Sequence, residues 1–208
     1  MDKSREAESH RLVGEVLCLD FANTINGHNR IPHHEYLHDY RDLILWGRHA
    51  GILSGKEVRV ILEEAAARPS EAAAVFRDGL ELREIIFRIF SALANGGEAD
   101  AGDLEHLGTV WREGQIHAHL VRTANGFSIG WDDEHSVERL LRMVTTSAIN
   151  LLTSEDLSRV RMCAGEHCDW LFVDTSRNHL RRWCTMDECG NRAKMQRRQG
   201  RRSLVGAG

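Results

Sequence analysis

Four cysteines in the last quarter of the chain, Cys163, Cys168, Cys184 and Cys189, constrain its folding more than any other feature. They form two Cys-x4-Cys pairs with fifteen residues between the inner members. Two short loops that each present a pair of thiols suit one tetrahedral Zn(II), which takes four soft thiolates at about 2.3 Å and keeps no open position. A metal-free segment of about 45 residues has too small a core to fold alone, so ligation and folding of this segment are expected to be one event. An iron–sulfur cluster is the alternative use of four thiolates, and the symmetric pairs favour zinc. A closed site of this kind shapes a fold rather than performing chemistry.

The compartment supports the metal reading. At 208 residues the chain has room for one medium domain, or for one domain plus a small module. No apolar run reaches the ~18 residues of a membrane span, and the start, Met1-Asp-Lys-Ser-Arg-Glu, lacks an apolar signal core. The expectation is a cytoplasmic protein without a membrane partner. Thiols stay reduced there, and paired cysteines read as metal ligands before disulfides. Cys18, in the run Val16-Leu17-Cys18-Leu19, reads as a free core thiol.

The net charge of −4 hides a division. Residues 159–202 hold eleven Lys or Arg against five Asp or Glu, a balance of +6, which leaves 16 basic and 26 acidic residues elsewhere. Ionised zinc thiolates remove about two charges and leave the segment cationic. A basic tail on an acidic body is the pattern of a nucleic-acid-binding module. The densest part follows the last cysteine: Arg192, Lys194, Arg197, Arg198, Arg201 and Arg202.

With two prolines (Pro32 and Pro69) and much Ala, Leu, Glu and Arg, the body reads as mainly helical. Helices are expected over 39–50, over 55–68 with Ser54 as N-cap and Glu57 completing a capping box, over 71–95, over 100–111 and over 135–152. The alternating runs 116–122 and 127–131, joined by Thr123-Ala-Asn125-Gly126, predict one β-hairpin. The polar turn Thr153-Ser-Glu-Asp156 divides the chain into a body, 1–154, and a module, 155–208. Within the module two short strands, around 159–162 and 169–174, should flank the first cysteine pair. The last ligand should sit near a helix start, a treble-clef-like order. Trp170, Phe172 and Trp183 should form its small core, with base stacking as the alternative use of one of them.

The string Cys168-Asp-Trp170-Leu-Phe172-Val-Asp174-Thr-Ser176-Arg177, then Arg181-Arg182-Trp183-Cys184, then Cys189-Gly190-Asn191-Arg192, resembles the CGNR zinc finger. Leu17-Cys-Leu19-Asp20-Phe21-Ala-Asn23-Thr24 resembles the start of the ABATE domain. The resemblance implies one zinc ion on the four cysteines and a bacterial, stress-induced transcriptional regulator with DNA as partner. Arg181, Arg182, Asn191, Arg192, Lys194, Arg197, Arg198, Arg201 and Arg202 are the candidates for nucleic-acid contact. Asn191 and Arg192 are the base-reading pair, unless Asn191 braces the knuckle instead.

The body carries no phosphate-cradling glycine loop, no Gly-x-Ser-x-Gly and no His-Glu-x-x-His, so it is not expected to be an enzyme. His28, His33, His34 and His38 cluster in an expected loop or helix start, where a second metal is the sharper reading and solvated polar residues the bland one. Asp20, Asn23 and Thr24 interrupt an apolar run and must find partners, with Arg83 or Arg41 available. They brace the bundle, or they line a pocket for a small effector. A homo-oligomer, a zinc-stabilised protein-interaction module without nucleic-acid binding, and a thiol-based redox sensor are the remaining readings.

Overall fold

The computed structural model describes residues 6–28, 33–124, 126–131 and 138–205. The helices are α1 (Glu6–Ser9), α2 (Leu17–Ala22), α3 (Tyr40–His49), α4 (Gly55–Ala67), α5 (Pro69–Ala94), α6 (Ala101–Gln115), α7 (Arg139–Leu152) and α8 (Asn191–Val205). Three antiparallel two-stranded sheets join them: β1 (Ile25–Asn26) with β2 (His34–Glu35), β3 (Ala118–Thr123) with β4 (Gly126–Trp131), and β5 (Val160–Met162) with β6 (Leu171–Val173). No helix among the described residues is long and apolar enough to cross a membrane.

Local chemistry sets the helix starts. Asp39 caps α3 by accepting from the Asp42 amide at 2.9 Å. Ser54 and Glu57 bond reciprocally in the expected capping box, and Pro69 opens α5 at the position where a missing N–H costs nothing. Helix α6 runs four residues past the expected Trp111. Tertiary packing supports those residues: Gly114 is buried, with Arg142 of α7 directly above it.

The six-residue α2 is too short to persist alone, and packing holds it. Cys18, Leu19, Asp20, Phe21 and Ala22 are all buried, within a core that includes Trp46, Ile86, Phe90, Leu107, Val144 and Ala148. Burial pushes the Cys18 thiol up to about 12, consistent with an inert core residue. Strands β1 and β2 replace the loop or helix start expected around His34, because a two-residue strand leaves no periodic trace. The β3–β4 hairpin projects, with Leu120, Phe127 and Ile129 exposed. Its expected tip residue, Asn125, and the expected first turn of the last body helix lie outside the described residues.

The division at 154/155 in the chain is not one in packing. Val160, Leu171 and Val173 of the module belong to the same core as the body helices. A second small core gathers Val13, Trp170, Phe172 and the four cysteines, with Tyr36 and Trp183 against it. The free edge of β6 is covered by the body: the Val173 amide donates to Gly14 O at 3.1 Å, and Asn23 brackets Leu171. The body thus covers the edge of β6 that a two-stranded sheet leaves open.

Candidate metal centre and nucleic-acid face

The first cysteine pair forms a knuckle at the end of β5. The Cys163 amide continues the strand ladder to Trp170 O at 2.9 Å, and the Cys168 amide closes the turn on Gly165 O at 3.1 Å. A Cβ at Gly165 would stand 3.2 Å from Cys189 Sγ, so a side chain there would crowd the ligands. The second pair returns through the Ala164 N–H bond to Arg182 O at 2.9 Å. Cys189 lies in a π-type turn, Met186–Gly190, directly before α8.

All four Sγ atoms are buried and lie within 4.8 Å of one another. Cys168 and Cys184 are 3.7 Å apart, and Cys184 and Cys189 3.6 Å. Tetrahedral ligation at ~2.3 Å places sulfurs about 3.8 Å apart, so the spacing fits Zn(II). The Cys184 amide donates to Cys163 Sγ at 3.3 Å, a bond that stabilises thiolate. The four groups cannot all ionise unaided. Hydrogen bonds from Cys168 and then Cys184 hold the Cys163 thiol down at about 2, while the bond to Cys163 drives Cys168 far up and burial raises Cys189. A divalent cation supplies the missing counter-charge, and the set holds one zinc ion. No other group of three His, Cys, Asp or Glu among the described residues is close enough to hold a metal. His28 instead stacks on Phe87 at 3.5 Å and bonds Glu84 at 2.8 Å, and His38 pairs with Glu6.

The polar residues of α2 and its exit face the module. Asp20 accepts from the Gly14 amide at 2.7 Å, which fixes the carbonyl that receives Val173. Burial pushes its carboxyl up to about 6 against that bond. Glu15 takes φ +67°, a left-handed conformation imposed by this tight loop. Asn23 donates to Leu171 O and accepts from Leu171 N, both at 2.8 Å. Thr24 donates to Phe21 O at 2.7 Å and receives Arg83 at 3.4 Å. Arg83 makes a bidentate pair with Glu35 at 2.8 Å and bonds Glu84 at 3.2 Å. Asp20, Asn23, Thr24 and Arg83 thus have their polar groups engaged in bracing, and Arg41 takes no part. A cleft of about 410 Å³ lies apart from them, between α5, α6 and α7, with a lining that includes Val75, Asp78, Leu82, Leu141 and Arg142.

No local pattern pairs Asp169 and Trp170 of the module with the partners they meet in the body. Asp169 accepts from the Gly27 and His28 amides at 3.0 and 2.8 Å, and the Trp170 indole donates to Ile25 O at 3.0 Å. His10 packs edge-on against the Trp170 ring, with centroids 5.3 Å apart, donates from Nε2 to Asn23 O at 2.9 Å and accepts the Trp46 indole at 3.3 Å. Burial pushes its imidazole down to about 4, so it is neutral.

The cationic set divides. Arg181 is a brace: its guanidinium reaches Glu15 at 2.9 Å, Cys184 O at 2.7 Å and Val13 O at 3.3 Å, and lies 4.3 Å over the Phe172 ring. This engagement removes it from the nucleic-acid candidates. Asn191 donates to Asp187 O at 3.1 Å and so braces the turn. Arg182, over the Trp183 ring, and Arg192, Lys194 and Arg197 are exposed and form no ion pair among the described residues. Arg198, Arg201 and Arg202 occupy α8, and their side chains lie outside the described set.

The family comparisons match both halves in this order. The ABATE profile, described as "Putative stress-induced transcription regulator", covers residues 15–155, more than half of the chain. The chain belongs to the ABATE family. The CGNR zinc finger covers residues 159–202. No curated protein matches the chain. The ABATE region ends at the 3-10 turn Glu155–Arg159, and its opening residues, Glu15 to Thr24, are those that hold the finger.

Proposed function

We propose that this regulator binds DNA through its zinc module, with α8 as the main cationic element and a fixed, non-catalytic zinc ion. The observation that carries the reading is a fifteen-residue helix with no acidic residue, anchored at its first turn to the metal centre. Helical spacing sets positions 194, 197, 198, 201 and 202 within an arc of roughly 140°. Such an arc follows a phosphate backbone, with Arg192 as the base-reading candidate once Asn191 is engaged in the turn. The protein acts in the cytoplasm as a regulator and not as an enzyme. The α5–α6–α7 cleft is the place for a small effector, since α5 also bears Arg83 and Glu84 and packs on β5.

Fluorescence anisotropy of duplex DNA across a salt series tests the reading. The zinc-loaded protein should bind at low salt, with affinity falling linearly in log salt. Replacing Lys194, Arg197 and Arg198 together by Gln should reduce that slope by about 2.7, at ~0.9 per phosphate contact. No binding at low salt, or an unchanged slope in the triple variant, would overturn it.

A further inference from the structure

The loop that carries the chain from β6 back to Cys184 is tied down by hydrogen bonds at its base and cationic. Asp174 is buried at its base and accepts from the Ser176 amide at 2.9 Å, the Ser176 hydroxyl at 2.6 Å and the Arg181 amide at 2.9 Å. These bonds outweigh burial and hold its carboxyl below the ordinary range. His179 takes a left-handed φ of +50°, secured by its amide on Ser176 O at 3.1 Å. From Thr175 to Met186 there are three arginines and no acidic residue. Arg181 points inward to its bonds, whereas Arg177 and Arg182 are exposed and form no ion pair among the described residues. Between them in sequence, Leu180 is 76% exposed. A shallow groove of about 580 Å³ runs along this loop to Trp183 and Met186. Met186 Sδ also stands against Gly190, directly before α8, so the groove opens beside the start of the basic helix.

The fold gains nothing in stability from an exposed leucine between two guanidinium groups that form no ion pair among the described residues. The combination suits the minor groove of DNA, whose negative potential attracts arginine and where apolar wedges enter between base pairs. A phosphate surface alone would repay the arginines and not the leucine. We propose that this loop is a second DNA contact, with Leu180 inserted at a base step and Arg177 and Arg182 flanking it in the minor groove. The proposal rests on the DNA reading above and adds that the protein bends its site.

The test uses the full zinc-loaded chain and an end-labelled duplex of about 25 base pairs. Energy transfer between the labels reads the bend, and 2-aminopurine reads unstacking. The wild type should bend the duplex by 20–90° and raise the 2-aminopurine signal. Leu180→Ala should abolish both signals while affinity falls less than about tenfold. Arg177→Gln with Arg182→Gln should lower the salt slope by about 1.8. All three side chains are exposed, and one zinc per variant chain checks the fold. Binding that depends on α8 but leaves the duplex straight, or equal bending by Leu180→Ala, overturns the wedge and leaves the DNA reading standing. Failure of the wild type to bind any duplex removes both.

Discussion

Replacing Asn23 by Ala should loosen the module from the body without touching a zinc ligand or a cationic side chain. The carboxamide is fully buried, and its two 2.8 Å bonds satisfy both the N–H and the C=O of Leu171, itself fully buried. Alanine leaves one donor and one acceptor without a partner, at about 1–3 kcal/mol each, so the expected loss is about 4 kcal/mol. That is a large fraction of the roughly 5–15 kcal/mol that holds an average domain. Asn23→Asp separates the two bonds. It keeps an acceptor for Leu171 N–H but sets a buried carboxylate oxygen against Leu171 O, a conflict that protonation relieves, so its loss at neutral pH should match or exceed that of alanine and should shrink on acidification. Urea unfolding followed by tryptophan fluorescence reports Trp46 in the body and Trp170 in the module, and a chromogenic chelator reports zinc release. The alanine variant should lose stability on the first measure and release zinc at lower urea on the second. A loss under 1 kcal/mol with unchanged zinc release would refute the claim that this side chain holds the seam.

Metal analysis should find one zinc per chain. Chelation should expose Trp170 and lower the melting temperature of the whole chain, because Val160, Leu171 and Val173 complete the body core. Neutral His10, at about 4 in the fold against 6.5 free, contributes stability that is complete above pH 6.5 and is lost as pH falls toward 4, about 3 kcal/mol in all. Asp20, raised from 3.8 to about 6, acts oppositely: its contribution is complete below pH 3.8 and is lost as pH rises through 6. The two nearly cancel between pH 4 and 6, so Asp20→Asn should reveal a steeper acid loss than the wild type in denaturation measured at each pH. Gly14→Ala should destabilise by about 1–3 kcal/mol in the same assay, since a Cβ there would lie 2.7 Å from the backbone nitrogen of Asp20.

The parts read correctly from sequence are those in which neighbouring residues carry the signal. The capping box at Ser54 and the alternation of the β3–β4 hairpin each lie within a few residues of chain. Strands β1 and β2 and the length of α6 were not legible, because their support comes from Tyr36, Glu35 and Arg142 acting across the fold. In the site, exposure separated residues that composition had grouped. Arg181 and Arg182 are adjacent and identical in type, yet one is fixed against Phe172 and Cys184 O and the other faces solvent.

By itself the sequence determined the metal. Tetrahedral thiolate ligation needs soft donors in two short loops, and Cys163, Cys168, Cys184 and Cys189 state both the donors and the loops. It also showed that Asp20, Asn23 and Thr24, set in an apolar run, must have partners. Only the tertiary structure decided who those partners are. Leu171 lies 148 residues from Asn23, and no local periodicity encodes a bond between two positions so far apart in the chain.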